Sequence, residues 1–321
     1  MDDTQIHLLF RGLWSDIAES EEFYNRKPLL AHYTSIQTLE KIVTNKEIWF
    51  SNPLLMNDME ELRFVINEGQ HLFHDHAELH KACGGKNRCL EIDAGFEVYY
   101  DQLSFKHAFD IYAFCFSEHK IGDADGLLSM WRGYGGNGKG AAIVFDTSKL
   151  APIDGSPFIL AKVHYLSRDD RKNWINTKLQ ELAKIIRTND IPDNKLYLAS
   201  QAFFERLKVF ALFTKHSGFK EEKEWRVVYL RDRDKDQRLN SMLGYAISDK
   251  GVEPKLKFKI APVDGVTGEE LSLEGLVDHI ILGPSVGGAL ALHGIRRMLE
   301  NSGHKGLAKK LKASSTPFRA V

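Results

Sequence analysis

The sequence has 321 residues, enough for one elaborated domain or two smaller ones. Its 43 Lys plus Arg residues balance 44 Asp plus Glu residues, so no overall charge draws the chain to nucleic acid or to a membrane surface. No apolar run approaches the length of a membrane span, and the N-terminus MDDTQIHLLF does not have the regions of a signal peptide. Its 3 cysteines are an odd number and do not have the spacing of metal ligands. Such cysteine usage is typical of a protein in a reducing compartment, so we expect a cytoplasmic protein.

The first clear group of elements is the stretch LLAHYTSIQTLEKIVTNKEIWFS. Thr34 followed by Gln37 matches a capping box, and apolar residues at helical spacing then predict a helix that ends near Asn45. The segment EIWFS predicts a strand that is closed by the turn SNP. His32 and Tyr33 are therefore expected at the end of a short strand that leads into a helix.

The rest of the chain mixes helices and strands without regular alternation. Residues 59–82 are predicted to be helical and polar. The predicted strands are IYAFCFSE, GAAIVFD, FILAKVHYL, KEWRVVYL, LKFKIA and the first part of HIILGPSVGGALALHGIRRML. Further helices are predicted in GLLSMWRGY, twice between FILAKVHYL and KEWRVVYL, and after IILGPSVGG. Without a linker or a repeat, this order predicts one continuous α+β domain over residues 1–321.

The stretch GYGGNGKG, residues 133–140, is one residue short of the phosphate-binding loop G-x-x-x-x-G-K-[ST]. A phosphate-binding loop lies between a strand and a helix, whereas here a predicted helix precedes the glycines and a strand follows them. Gly140 also occupies the position of the hydroxyl that would bind magnesium. We interpret the glycines as a flexible turn before a strand.

Three smaller signals favour structural roles. His76, His80 and Cys83 recur on a predicted helix, but no carboxylate or second cysteine pair completes a metal site. The segment LGPSVGGA lacks the spaced glycines of a dinucleotide site. Asn57 and Asp58 are predicted to cap the helix that follows them.

The segment FKEEKEWRVVYL is the most informative one. Glu222 and Glu224 are two residues apart, so they project from the same face if the strand begins here. On its own, such a charge run is typical of a solvated surface.

Together with HYTSIQTLEKIVTNKEIWFS, this segment resembles the ADP-ribosyltransferase superfamily. Those enzymes open with a strand that bears a His or Arg motif, continue with a helix and a strand, and finish with a catalytic Glu, often as Glu-x-Glu. At closer range the chain resembles a bacterial family of uncharacterised domains over residues 28–321. The motifs that carry this resemblance are HYTS, IWFSNP followed by ND, FCFSE, MWRGYG, EKEWR and IILGP.

The resemblance implies an α+β fold with an ADP-ribosyltransferase-like split β-sheet core and helical insertions near 57–110 and 169–215. It also implies transfer of ADP-ribose from NAD to a macromolecule, which is RNA, DNA or protein. Such proteins are commonly bacterial toxins or antiviral defence effectors, and an inhibitory antitoxin protein is a further implied partner.

Residue roles follow from the same resemblance. Glu224 would hold the ribose 2′-hydroxyl and stabilise the positive charge that develops on the ribose, while Glu222 would orient or deprotonate the acceptor. The sequence does not decide which of the two glutamates has which role, so the assignment can also be the reverse. His32 would bind a ribose hydroxyl or a phosphate of NAD, with Thr34 and Ser35 as further donors.

Tyr134 or Trp131 would stack on the nicotinamide, and Arg132 would pair with the pyrophosphate. The other expected NAD-binding residues are Tyr33, Ser51 and Asn52. One departure from the superfamily pattern is Tyr33, which stands where a glycine usually follows the first His and narrows the room for the adenosine.

Two alternatives remain open. In the first, Glu221–Glu222–Lys223 forms the E-x-K end of a metal-dependent nuclease and Asp193 supplies its upstream Pro-Asp. Asp193 is, however, expected in a loop between helices, whereas such sites need it on a strand. In the second, the segment WRGYG and arginines bind a ligand or a protein without catalysis.

Overall fold

The computed structural model describes residues 1–17, 26–56, 59–103, 108–151, 153–248 and 251–318. The predicted helix caps Asn57 and Asp58 lie outside the described residues. The chain divides into two compact units. Unit 1 consists of Met1–Ser20, Pro53–Ile111 and Val163–Phe219, and unit 2 consists of Glu21–Asn52, Tyr112–Lys162 and Lys220–Val321. The regions predicted as insertions, near 57–110 and 169–215, contribute to unit 1.

The elements are numbered in chain order. The strands are β1 (Leu29–Thr34), β2 (Glu47–Ser51), β3 (Ile111–His119), β4 (Ala141–Asp146), β5 (Phe158–Lys162), β6 (His164–Leu166), β7 (Thr214–His216), β8 (Glu224–Leu230), β9 (Leu243–Ser248), β10 (Gly251–Lys259), β11 (Val277–Leu282) and β12 (Leu311–Ala313). The helices are α1 (Asp3–Leu9), α2 (Ile36–Asn45), α3 (Met59–Asp75), α4 (Ala77–Cys83), α5 (Lys86–Asp101), α6 (Leu128–Gly133), α7 (Arg168–Thr188), α8 (Tyr197–Leu212), α9 (Leu273–Leu276), α10 (Ala289–Asn301) and α11 (Lys305–Lys309).

Unit 1 is mainly helical and contains α1, α3, α4, α5, α7 and α8, with β6 and β7 as a parallel pair. The apolar helix α8 packs into its core, where Phe203 lies 5.4 Å from Phe73 and 6.1 Å from Phe96 between ring centroids. Gly95 allows α5 to approach α8 closely, because a Cβ at that position would lie 3.1 Å from the Cα of Tyr197. These aromatic contacts stabilise the helical unit.

Unit 2 contains a large sheet of ten of the described strands. The order is β12-β11-β4-β1-β3-β2-β10-β9, with β8 against β3 and β5 against β8. Most pairs are antiparallel, and β11 with β12 is parallel. A mixed, mostly antiparallel sheet with helices confirms the predicted α+β class.

Strands β1 and β2 share one edge of β3. On the other edge lies β8, because the Glu118 amide donates to the Lys223 carbonyl (2.9 Å) and the rings of Tyr112 and Tyr229 are 6.3 Å apart. A strand has two edges, so both β1 and β2 must pair along the remaining one. The two strands pair with different parts of β3, because Ala31 of β1 lies opposite Ser117, whereas Ser51 of β2 lies opposite Ala113. Residues 114–116 of β3 therefore lie where β1 and β2 diverge.

The two faces of the sheet carry different clusters. The larger apolar core includes Leu30, Phe50, Phe114, Trp225 and Leu256. The smaller cluster on the opposite face consists of Ala31, Tyr33, Met130, Trp131, Ala142, Val144 and Ile281. Because side chains alternate along a strand, Ser117 and Glu224 belong to the second face.

Most predicted elements form, with three differences. The N-cap of α2 is Ser35, whose hydroxyl accepts from the Thr38 amide at 3.0 Å, so the prediction of a Thr34 capping box is wrong. The predicted strand FILAKVHYL is two strands, because β5 pairs with β8 whereas β6 pairs with β7. Strand β9 was not predicted, since Gly244 and Ala246 weaken its alternating pattern.

Candidate functional site

The chain enters β8 through a turn, so only one of the two candidate glutamates is a strand residue. A 3-10 turn, Ser217–Glu222, is followed by Lys223 in the left-handed region with φ of 46°, and β8 begins at Glu224. The prediction that Glu222 and Glu224 project from the same strand face is therefore wrong. Residues 220–224 are called the glutamate turn below.

Strand β3 holds the glutamate turn in place. The Ser117 hydroxyl donates to the Glu222 carbonyl at 2.7 Å, and the Glu118 amide donates to the Lys223 carbonyl at 2.9 Å. Ser117 is buried, so the hydrogen bond from its hydroxyl to the Glu222 carbonyl is shielded from water. Sequence reasoning did not single out Ser117, although it is the first polar residue after the apolar run IYAFCF.

The Glu222 carboxylate lies at the surface beside a tyrosine. The Tyr134 hydroxyl donates to Glu222 Oε1 at 3.0 Å. Glu222 is half-buried and Tyr134 is 41% exposed. The structure thus places the carboxylate of Glu222 and the ring of Tyr134 side by side at the surface.

Glu224 has a different environment, because it is buried in an ion pair. Arg226 donates from Nε to Glu224 Oε1 at 2.7 Å and from a terminal nitrogen to Oε2 at 3.1 Å. The two residues are two apart on β8 and so lie on the same face, with exposures of only 5% and 6%. This bidentate pair compensates the Glu224 charge inside the protein. Arg226 was missed from the sequence, where its spacing from Glu224 was the available signal.

His32 lies where β1 and β2 diverge. Its ring stacks on Phe114 with centroids 4.3 Å apart, and Nδ1 lies 3.0 Å from the Cys115 carbonyl oxygen. Burial lowers the pKa of His32 below its usual value, so the ring is neutral at pH 7. A carbonyl oxygen only accepts, so Nδ1 carries the proton and donates. Nε2 is therefore a hydrogen-bond acceptor, which suits a hydroxyl and not a phosphate.

Two predicted NAD-binding aromatics are core residues. Trp131 is 0% exposed, and its indole N–H donates to the Asp125 carbonyl at 2.8 Å. Tyr33 packs edge-on against Trp131, and its hydroxyl accepts from the Leu127 amide at 2.8 Å. Burial raises the pKa of Tyr33 to about 12. Neither ring has a free face for a ligand, which corrects the prediction that Trp131 stacks on nicotinamide and that Tyr33 contacts NAD.

Four other predicted contacts have local structural roles in unit 2. Thr34 is buried, and Ser35 caps α2. The Ser51 hydroxyl accepts from Lys255 Nζ at 2.8 Å, and Asn52 is fully buried. Because Ser51 and Ser35 are half-exposed, these two are the members of the group that a ligand can still reach.

Arg132 is exposed at the end of α6 and lies over the ring of Phe318, 5.3 Å from its centroid. This cation–π contact places the guanidinium at the surface near the glycine stretch. The predicted pairing of Arg132 with the pyrophosphate of NAD stays a prediction.

The glycine loop, residues 133–140, is closed by its own hydrogen bonds. Gly135 and Gly138 donate to carbonyls of α6, and Lys139 and Gly140 donate to carbonyls within the loop. The loop follows helix α6 and precedes β4, as predicted, so no helix N-terminus points at a ligand there. Gly140 is required by packing, because a Cβ there would lie 2.1 Å from the Thr34 carbonyl oxygen.

Two residues from the weaker sequence signals, His76 and Asp193, make local structural contacts. His76 is the N-cap of α4, with Nδ1 accepting from the Leu79 amide at 3.1 Å. Among the described residues, no group of three or more His, Cys, Asp or Glu side chains is arranged to hold a metal ion. Asp193 begins a 3-10 turn and pairs with Arg88, so it does not have the strand position that the nuclease reading requires.

Residues 130–227 match a family described as "Protein of unknown function (DUF2971)". The match begins at α6 and ends within β8, so it includes Tyr134, Glu222 and Glu224 but not His32. No curated protein and no solved structure matches the chain. Over the described part of the chain, no helix has the length and apolar character needed to cross a membrane.

Proposed function

We propose that the protein transfers ADP-ribose from NAD to a macromolecule, at a site that includes His32, Glu222 and Tyr134. The observation that carries the proposal is the divergence of β1 and β2 from one edge of β3. His32 lies in that divergence, and Glu222 is attached to the opposite edge of the same strand through Ser117. A split sheet with these two residues at its centre is what the resemblance to ADP-ribosyltransferases implies.

His32 shares a face of the sheet with Leu30 and Phe114, whereas Glu222 is bound by Ser117 on the opposite face, so a ligand that contacts both residues would extend through the gap between β1 and β2. Strands in a sheet lie about 4.8 Å apart, so β1 and β8, on either side of β3, are separated by about 10 Å. His32 and Glu222 would therefore contact different parts of NAD. His32 Nε2 would accept a hydrogen bond from a ribose hydroxyl, and Glu222 would lie beside the ribose that bears nicotinamide.

The chemistry assigned to Glu222 is electrostatic. The bond between the ribose C1′ and the nicotinamide nitrogen breaks, and nicotinamide leaves with the electron pair. An oxocarbenium-like positive charge develops on the ribose, and the Glu222 carboxylate stabilises it. A nucleophile of the acceptor then bonds to C1′ and loses its proton. Tyr134 would stack on the nicotinamide while its hydroxyl holds Glu222.

We assign the principal catalytic role to Glu222 and a structural role to Glu224. The charge of Glu224 is compensated by Arg226 in the protein interior, whereas Glu222 reaches the surface. Either assignment was open from the sequence. The burial of Glu224 and the surface position of Glu222 support this one.

The test uses NAD labelled in its adenylate moiety and incubated with the full chain and separate pools of RNA, DNA and protein. Label should enter one pool, and Glu222→Gln should reduce the rate by about 100- to 1000-fold. Glu221→Gln is the matched control, because this neighbouring side chain is exposed. A magnesium-dependent cleavage of nucleic acid without NAD would overturn the proposal in favour of a nuclease.

A role as a toxin or antiviral defence effector, with an inhibitory antitoxin protein as partner, is part of the same proposal. It predicts that expression of the chain arrests growth and that Glu222→Gln relieves the arrest. Growth arrest that persists in Glu222→Gln would separate the cellular role from the proposed reaction.

A further inference from the structure

Strands β9 and β10 of unit 2 form a hairpin that extends past its neighbour β2. The register of β10 with β2 runs from Lys255 to Lys259, whereas its register with β9 runs from Gly251 to Leu256. Residues 245–248 and 251–254 therefore form a two-stranded ribbon beyond the end of β2. A two-stranded hairpin is only marginally stable without packing against another element.

The ribbon has an uncovered apolar face. Tyr245, Ile247 and Val252 are 63%, 85% and 63% exposed. Val252 lies opposite Ile247, and both share a face with Leu256, which is fully buried in the core. The core face of the sheet thus continues onto the ribbon, where none of the described chain covers it. Adjacent exposed apolar side chains of this kind are typical of an interaction surface.

The edge strand itself has no feature that prevents pairing. β9 is the last strand in the order of the described sheet, so its outer backbone groups are available to another strand. Its sequence LGYAIS has no charge and no proline, which are the usual protections of an edge. Glu253 pairs with Lys255 at 3.1 Å, so the described charges of this hairpin next to β9 compensate each other. The ribbon therefore has no net charge that selects nucleic acid or an anionic surface.

We propose that the ribbon pairs with the same ribbon of a second copy of the chain, β9 against β9. A two-fold axis perpendicular to the sheet at Ala246 places Ala246 opposite its own copy and Tyr245 opposite Ile247. In this register the apolar faces of both ribbons lie on the same side and form one continuous surface. The facing aromatic and β-branched side chains are a favourable cross-strand pair. An uncharged strand is complementary to itself, as a symmetric interface requires.

Sedimentation of the full chain over a range of concentrations tests the association. The wild type should sediment with the mass of two chains, and Ile247→Lys should weaken self-association at least tenfold because each lysine would face Tyr245. Leu290→Lys is the matched control, since Leu290 on α10 is 89% exposed and lies outside the ribbon. A monomeric wild type, or an Ile247→Lys variant that associates like the wild type, overturns the proposal.

A cysteine at the two-fold axis tests the register. Opposite residues in an antiparallel pair have Cα atoms about 4.5 to 5.5 Å apart, which suits a disulfide. With diamide as the oxidant, two thiols of Ala246→Cys lose their protons and two electrons, and a covalent dimer should form. Leu290→Cys and the wild type, with its native cysteines, are the controls. No covalent dimer, or equal dimer in the controls, would overturn the register centred on Ala246.

Discussion

The glycine loop and the glutamate turn are both rich in polar groups, but only the glutamate turn holds a carboxylate at the surface, Glu222. In the glycine loop, the backbone amides donate to carbonyls of α6 and of the loop itself. In the glutamate turn, the backbone carbonyls accept from Ser117 and Glu118 of β3, and the Glu222 carboxylate remains at the surface. The two regions meet where Tyr134 donates to Glu222.

The difference shows that the number of polar groups matters less than where their hydrogen bonds go. A loop that uses most of its amides in hydrogen bonds to its own chain has few donors left for phosphate, however close its sequence is to a phosphate motif. A turn whose backbone is bound from behind by a strand can present a side chain in a fixed position. Within the turn, the Glu224 carboxylate is bound by Arg226 in the protein interior, whereas the Glu222 carboxylate lies at the surface.

The largest predicted effect concerns the buried pair. Arg226→Met leaves Glu224 without its bidentate partner, and we expect a loss of about 3–5 kcal/mol in the free energy of unfolding. Chemical denaturation measures it. Glu222→Gln should change stability by less than about 0.5 kcal/mol, as for a surface substitution. Equal losses in the two variants would contradict the structural role of the pair.

Completing the phosphate motif should damage the fold. Gly140→Ser forces a Cβ against the Thr34 carbonyl oxygen, and we expect about 3 kcal/mol of destabilisation and no nucleotide binding. Gly133→Ser is the control, because nothing lies within 4 Å of its added Cβ. Thermal unfolding compares the two. A stable Gly140→Ser that binds ATP and magnesium would refute the account of the glycine loop.

The pH dependence of stability tests the environment of His32. Burial lowers its pKa in the folded chain, so the unfolded chain binds the proton more readily. The folded state should therefore lose stability as pH falls below about 6.5, by up to about 1.4 kcal/mol per pH unit. His32→Gln removes this contribution, so the stability difference between variant and wild type should shrink from pH 7.5 to pH 5.5. A constant difference would contradict the neutral ring.

The smallest predicted effect is at the meeting point of the two regions. Tyr134→Phe keeps the ring but removes the hydroxyl bonded to Glu222, which is worth about 0.5–1.5 kcal/mol. We expect about a 3- to 10-fold lower rate of NAD cleavage, with a loss of no more than about 1.5 kcal/mol in the free energy of unfolding. A rate equal to that of the wild type would show that the hydroxyl does not position Glu222.

The sequence predicts most of the local elements of the site. Periodicity places His32 on a strand before α2, and the order of helix and strand around Gly140 excludes a phosphate loop. The position of Glu222 was not predictable, because it depends on the left-handed Lys223 and on a bond from Ser117, 105 residues away along the chain. The burial of Trp131 was also not predictable, since a short amphipathic helix does not reveal which aromatic faces the core.

The most direct test of the central claim is release of nicotinamide from NAD by the full chain. We predict measurable release by the wild type, a rate about 100- to 1000-fold lower in Glu222→Gln, and a rate close to that of the wild type in Glu221→Gln. Release that is unchanged in Glu222→Gln, or absent from the wild type in the presence of all three acceptor pools, would contradict the proposed function.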